Sequence, residues 1–265
     1  MVASAGHNKN GSEATRKGPR GNWRNYAVIG VGLAVICGAA AWIGQYARSG
    51  EATAFEPPSN AVGATTNGDK LALPVKPTIP VTLTVYEDPR SPESRAFAQQ
   101  YSKTFGQLLA SGQAQINYRL VTASDHQYGG SGAKEAAAAA ACAQDQGRFS
   151  EFMDQVWANQ PALQQDDFKN RTLLRKLAKK AGKIEHDAFN LCLDRGTRQG
   201  WVTKSQQDYA SSGLGPVPVV QLNGKTIADP ATKLTPSKLT ALVAKEAQKV
   251  AAAGPTASPS PSPTS

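Results

Sequence analysis

Residues Val81 to Phe97 read VTLTVYEDPRSPESRAF, and this stretch decides the fold. Val81, Leu83 and Val85 alternate with polar residues, the period of a half-buried strand. A short acidic turn follows, Glu87-Asp88-Pro89-Arg90. Ser91 then stands where a helix N-cap belongs, with Pro92 at the first helical position, a pairing in which the missing proline N–H costs nothing. The predicted helix runs from Pro92 to Ala110 with Phe97, Tyr101, Phe105, Leu108 and Leu109 as its apolar stripe. It stops at Ser111-Gly112, before a second strand from Gln115 to Val121. Two strands joined through a helix are expected to be parallel, with a right-handed crossover.

Downstream, helical spacing recurs over Ala133–Gln146, Phe149–Asn159, Leu173–Ala181 and His186–Asp194. Gly147, Pro161, Gly182 and Gly196 separate these pieces. Ala136 to Ala141 is an unbroken run of the strongest helix former. A further helix, about Thr197 to Tyr209, leads back to the sheet. Val217 to Leu222 reads as a strand, Asn223-Gly224 as a hairpin turn, and Lys225 to Ala228 as the returning strand. A last helix is expected from Thr235-Pro236-Ser237 onward, with Leu239, Leu242, Val243 and Val250 on one side.

The flanks are of different composition. Residues 1–25 are polar, Gly-rich and basic, and are expected to be disordered in the cytoplasm. Tyr26 to Tyr46 contains no charge, and at about 1.5 Å per residue a helix there reaches roughly 30 Å, the hydrocarbon thickness of a membrane. Five basic residues precede it (Lys9, Arg16, Lys17, Arg20, Arg24). A single-pass signal-anchor is expected, N-terminus inside, with the folded part extracytoplasmic in the cell membrane. The alternative is a cleaved signal peptide, for which Ala39-Ala40-Ala41 supplies small residues. Residues 47–78 read as a flexible spacer, 79–253 as the folded domain with its helical insertion at about 128–200, and 254–265 as a disordered Pro/Ser tail.

The formal charge of +9 is spread over the chain, and no nucleic-acid motif accompanies it. The run Lys169 to Lys183 is basic and lacks acids. It reads as the solvated face of an amphipathic helix, with contact to an anionic surface as the sharper alternative. The three cysteines, Cys37, Cys142 and Cys192, form no Cys-x-x-C pair, and the three histidines have no metal-ligand spacing. No cofactor and no metal is expected.

The strand-turn-helix opening resembles the DsbA-like branch of the thioredoxin superfamily, whose motif runs close to E-D-x-x-C-P-x-C. Glu87, Asp88 and Pro92 match it, while Ser91 and Ser94 stand at both cysteine positions, giving Ser91-Pro92-Glu93-Ser94. The segment GLGPVPVVQLNGK resembles the family's G-x-x-G-T-P-x-x-x-x-N-G-K, with Pro216 and Val217 as departures. The resemblance implies an α/β thioredoxin-like fold with an inserted helical domain, a cis bond at Val217-Pro218 facing the motif helix, and a structural disulfide between Cys142 and Cys192. It also implies oxidation or isomerisation of disulfides in exported proteins. That activity needs a thiolate, and a hydroxyl neither forms nor exchanges disulfides. A serine nucleophile would need a positioned base, and no Gly-x-Ser-x-Gly elbow is present. Three readings follow from these residues. The first is a non-redox, peptide-binding or chaperone-like module whose partners are exported or membrane polypeptides. The second is a DsbA-type oxidoreductase acting through Cys142 and Cys192. The third is a membrane scaffold.

Overall fold

The computed structural model describes residues 54–63, 69–75, 79, 81–230 and 232–253. Their strands are β1 (Leu73–Val75), β2 (Thr82–Glu87), β3 (Gln115–Leu120), β4 (Val219–Leu222) and β5 (Lys225–Ile227). Their helices are α1 (Pro92–Ala110), α2 (Ala123–Tyr128), α3 (Gly132–Gln144), α4 (Phe149–Ala158), α5 (Arg171–Ala181), α6 (His186–Arg195), α7 (Gln199–Ser211) and α8 (Pro236–Ala253). The strands form one mixed sheet in the order β1-β3-β2-β4-β5. The β2-α1-β3 unit is parallel, Val85 lying opposite Tyr118. β4 is antiparallel to β2, and β5 to β4.

The β4–β5 hairpin turns on two residues that both take positive φ, Asn223 at 46° and Gly224 at 78°. This twist matches that of the strands, and Asn-Gly is the dipeptide that tolerates it best. The Asn223 side chain also accepts from the Thr82 N–H at 2.8 Å, fixing the hairpin against the start of β2.

α1 and α8 cover one part of the sheet. Phe97, Tyr101 and Leu108 of α1 pack with Leu239 and Val243 of α8 on Val81, Leu83, Val85 and Ile116. The Tyr101 hydroxyl donates to the Leu234 carbonyl at 2.6 Å, so the polar end of a buried ring is satisfied where α8 begins. The helical layer is built around α3. Ala136 to Ala143 are all buried, and their small side chains let α4, α6 and α7 pack closely around one central helix.

The folded part reaches further toward the N-terminus than the expected start near Ile79. β1 pairs antiparallel with the outer side of β3, Leu73 opposite Tyr118. Leu71 and Leu73 are fully buried. The Trp201 indole donates to the Lys70 carbonyl at 2.9 Å, and the Arg198 guanidinium donates to the Glu56 and Pro57 carbonyls at 3.1 Å each. Residues 69–75 therefore belong to the domain rather than to a spacer. Pro74 is tolerated there because β1 is an edge strand. Tyr26 to Tyr46, both termini and Cys37 lie outside the described residues. Among the described residues no helix is long and apolar enough to cross a membrane.

Cys142 of α3 and Cys192 of α6 are disulfide-bonded, with S–S 2.02 Å and a sequence separation of 50. On the chain-entropy argument a loop of this length stabilises by about 4 kcal/mol. Replacing both cysteines with alanine is expected to lower the urea midpoint by a comparable loss of stability, without changing the far-UV spectrum of the folded chain. An unchanged midpoint would show that the link contributes nothing.

Candidate functional site

The turn between β2 and α1 is fixed from several directions. Ser91 has extended backbone, φ −72° and ψ 122°, and its hydroxyl oxygen accepts from the Ser94 N–H at 3.1 Å. The same hydroxyl donates to Glu93 Oε2 at 2.8 Å. Ser94 is fully buried, and its oxygen accepts from the Asp88 N–H at 3.1 Å. Both hydroxyls are thus engaged in starting the helix. No imidazole or amine is hydrogen-bonded to either among the described residues, and the one carboxylate that accepts from Ser91 is Glu93.

Asp88 is fully buried. Its carboxylate accepts from the Arg90 N–H at 2.8 Å and from the backbone and hydroxyl of Ser124 at 2.8 and 2.7 Å. Burial pushes its pKa up to about 6, against the pull of these donors. Ser124 lies on α2, a six-residue helix that the sequence pattern did not reveal.

Arg90 carries the turn into the helical layer. It is 2% exposed, and Nη1 lies 2.6 Å from Asp125 Oδ1 and 3.2 Å from Asp166 Oδ1. The guanidinium also donates to the Gly129 and Leu163 carbonyls at 2.8 and 3.0 Å. The Gln160 amide donates to the carbonyls of Pro89 and Ser91 at 2.8 and 3.0 Å, clamping the turn from a second side.

Across from Ser91 stands Val217-Pro218, a cis peptide bond. Between them lies a cavity of about 640 Å³ that both Ser91 and Pro218 line. Tyr128, Leu163, Val217 and Ile227 give it apolar walls, and Tyr128 is 45% exposed at its rim. Asp88, Glu93 and Asp229 are its charged lining groups, and no lysine or arginine lines it among the described residues. The structure therefore brings Ser91, Pro92, Glu93 and Val217-Pro218 to one cavity, with Ser94 directly beneath in the first turn of α1. Cys142 and Cys192 are elsewhere, in the helical layer, with Cys142 2% exposed. Asp88, Ser124 and Tyr128 complete the site. The sequence reading noted only Asp88 among these three, as a motif match without a role.

A parallel β-α-β unit joined to an antiparallel hairpin, a cis-proline opposite the first helix, and a helical layer inserted between the halves define a thioredoxin-like α/β fold of the DsbA type. The chain belongs to the thioredoxin family, whose model matches residues 76–245. Among solved structures it is similar to oxidised DsbA from Mycobacterium tuberculosis, at 23% identity and TM-score 0.56 over 69% of this chain and 98% of that one. It is similar also to oxidised BdbD from Bacillus subtilis, at 21% and 0.57 over 74% and 98%. MdbA from Corynebacterium matruchotii, a thiol-disulfide oxidoreductase, aligns at 20% and 0.54 over 75% and 98%. A search of curated proteins finds no match.

Glu87, next to Asp88, is 1% exposed, and burial pushes its carboxyl up to about 8 from 4.5. Both carboxyls therefore hold more protons in the folded chain than in the unfolded one at intermediate pH. Stability falls as pH rises from about 4 toward about 6 for Asp88 and about 8 for Glu87, and levels off above. Glu87→Gln removes the larger part of this fall. The variant is expected to match the native chain in urea unfolding at pH 4.5 and to exceed it by several kcal/mol at pH 8.5. A variant equally stable, or less stable, at pH 8.5 would show that Glu87 is not held protonated.

Proposed function

We propose that this protein is a redox-inactive, thioredoxin-fold binding module that holds extended segments of exported or membrane polypeptides in a chaperone-like role. The observation that carries the reading is the cavity shared by Ser91 and cis-Pro218. The binding half of the site is intact, while the two side chains that would do redox chemistry are hydroxyls. An extended peptide fits such a groove by backbone pairing beside a sheet edge, with side chains in alternate pockets. The walls favour apolar side chains. The acidic lining, on a chain of net charge +9, favours clients with basic rather than acidic residues.

A second reading, a DsbA-type disulfide oxidoreductase, is favoured by the family and by the neighbours that carry that activity. In this chain it would have to run through Cys142–Cys192. Cys142 is buried among the alanines of α3 and Cys192 is half-buried, so exchange, which needs access to a sulfur, would have to start at Cys192.

The native chain is expected to show no insulin-reducing activity. It should bind a permanently unfolded, alkylated polypeptide, with Tyr128→Ala weakening that binding about fivefold, the effect of about 1 kcal/mol. Turnover that disappears when Cys142 and Cys192 are replaced would establish the second reading. Turnover without them, or no polypeptide binding at all, would refute the first. Ser91→Cys with Ser94→Cys is expected to yield a dithiol that closes and reopens, with Glu93, Glu87 and Asp88 opposing the drop in thiol pKa that the helix start favours.

We also propose that Tyr26 to Tyr46 anchors the chain with its folded domain outside the cell membrane. A reporter fused after Ser265 is expected to be active outside and to sediment with membranes. A reporter released mainly into the medium would point to cleavage instead.

A further inference from the structure

A second cavity, of about 450 Å³, opens between α1, α4 and the ends of β2 and β3. Its walls are apolar and aromatic, with Phe105, Tyr118, Phe149 and Trp157 around it. The Tyr118 and Phe149 rings lie 5.0 Å apart. Two carboxyls face this space. Glu87, at the end of β2, is buried, and its Oε1 has no hydrogen-bond partner. Asp154 stands on the α4 side, exposed at the rim. No lysine, arginine or histidine lines the cavity among the described residues. Gly106 of α1 is exposed at the cavity's rim, where a Cβ meets nothing within 4 Å.

A buried carboxyl oxygen without a donor is costly, and native structures rarely keep one without a use. Water in the cavity would satisfy it, but would not account for aromatic walls on several sides. The described residues hold no group of three or more His, Cys, Asp or Glu side chains that could hold a metal ion. A cation with an apolar body suits both the aromatic inner walls and Glu87, with Gln99, Ser102 and Ser150 at the exposed rim. Its N–H groups pair with the Glu87 carboxylate, and its charge and hydrocarbon sit against ring faces. The volume lies in the range of small-ligand pockets.

We propose that this cavity binds a small protonated amine carried on an aromatic or apolar body, with the ammonium on Glu87 and the body among Phe105, Tyr118 and Trp157. The site is separate from the Ser91 groove and stands or falls independently of the polypeptide-binding reading. Binding is coupled to a proton. The empty site keeps Glu87 protonated below about 8, so an ammonium must displace that proton to form its pair. The groups facing Glu87 are Tyr118 from β3 and Asp154 from α4, and α1 contributes no ionisable side chain to the cavity. Burial and the two neighbouring carboxylates hold the Tyr118 phenol neutral by raising its pKa well above the usual value. Glu87 is thus the group whose proton is exchanged.

Calorimetry on the full chain in lipid nanodiscs tests this, with 2-phenylethylammonium and 2-phenylethanol as a matched pair and empty nanodiscs as the blank. The amine is expected to bind at least about tenfold more tightly than the alcohol. Its affinity should rise by about tenfold per pH unit between pH 6 and 7.5, with one proton released. Glu87→Gln is expected to erase the preference for the amine and leave the alcohol unaffected, and Gly106→Leu to weaken both by narrowing the mouth. Equal binding of amine and alcohol, an amine affinity independent of pH, or no binding of either would overturn the proposal. So would binding that Gly106→Leu leaves intact, a comparison that holds even if Glu87→Gln does not fold.

Discussion

The contact on which the rest depends is Arg90 between Asp125 and Asp166. Those carboxylates also accept from the backbone N–H groups of Ser131, Gly132, Ala133 and Lys134, at 2.7 to 3.1 Å. These are donors at the start of α3 that no intrahelical carbonyl reaches. One guanidinium thus balances two part-buried acids, and those acids cap the central helix of the inserted layer. The geometry admits only glycine at two places. A Cβ on Gly130 would lie 2.4 Å, and one on Gly132 2.5 Å, from Asp166 side-chain atoms. Loss of Arg90 would leave two part-buried carboxylates with their backbone donors but without their cation. The same loss would release the turn that aims Ser91 at the cavity, so the stability of the insertion and the shape of the site share one side chain.

From that fixed turn two consecutive acids go separate ways. Successive side chains on an extended chain point to opposite sides. Asp88 enters the Ser91 cavity, and Glu87 enters the cavity under α1 and α4. Their fates differ through their donors. Asp88 receives three hydrogen bonds, which partly offset its burial, whereas Glu87 has burial alone. One dipeptide therefore sets up two environments, one in which the carboxylate is solvated by protein groups and one in which it waits for a cation.

The long elements were legible because their apolar spacing was regular. α1 begins and ends where Ser91-Pro92 and Ser111-Gly112 place it. β1 was missed because three residues, one of them proline, carry no periodicity and their partner strand is some forty positions away. α2 was missed because ASDHQY has no apolar stripe. It is held by Ser124 on Asp88 and by its place after β3, both tertiary facts. Arg90 read as one charge in an acidic turn, because nothing local announces partners 35 and 76 positions on. The cis bond at Val217-Pro218 and the Cys142–Cys192 link were accessible only through family resemblance, since neither spacing nor composition distinguishes them from a strand-edge proline and two separate thiols.

The start of α1 has its own electrostatic logic. In a helix that carries a reactive cysteine at this place, the free N–H groups and the dipole stabilise a thiolate. Here Ser91 is neutral, its oxygen accepts from Ser94 N–H, and the first turn contains an acid, Glu93, bonded to the Ser91 hydroxyl. The negative charge that the helix start favours is therefore supplied by a carboxylate one turn position further in. A carboxylate there stabilises the helix as a thiolate would, but it cannot leave, exchange or be oxidised. That arrangement is self-sufficient without redox chemistry. It explains how both sulfur positions can be serine while the turn, the cap and the opposing cis-proline keep their geometry. It also leaves the groove lined by acids, Asp88, Glu93 and Asp229, so on the proposed reading recognition there would be by charge and shape rather than by covalent capture.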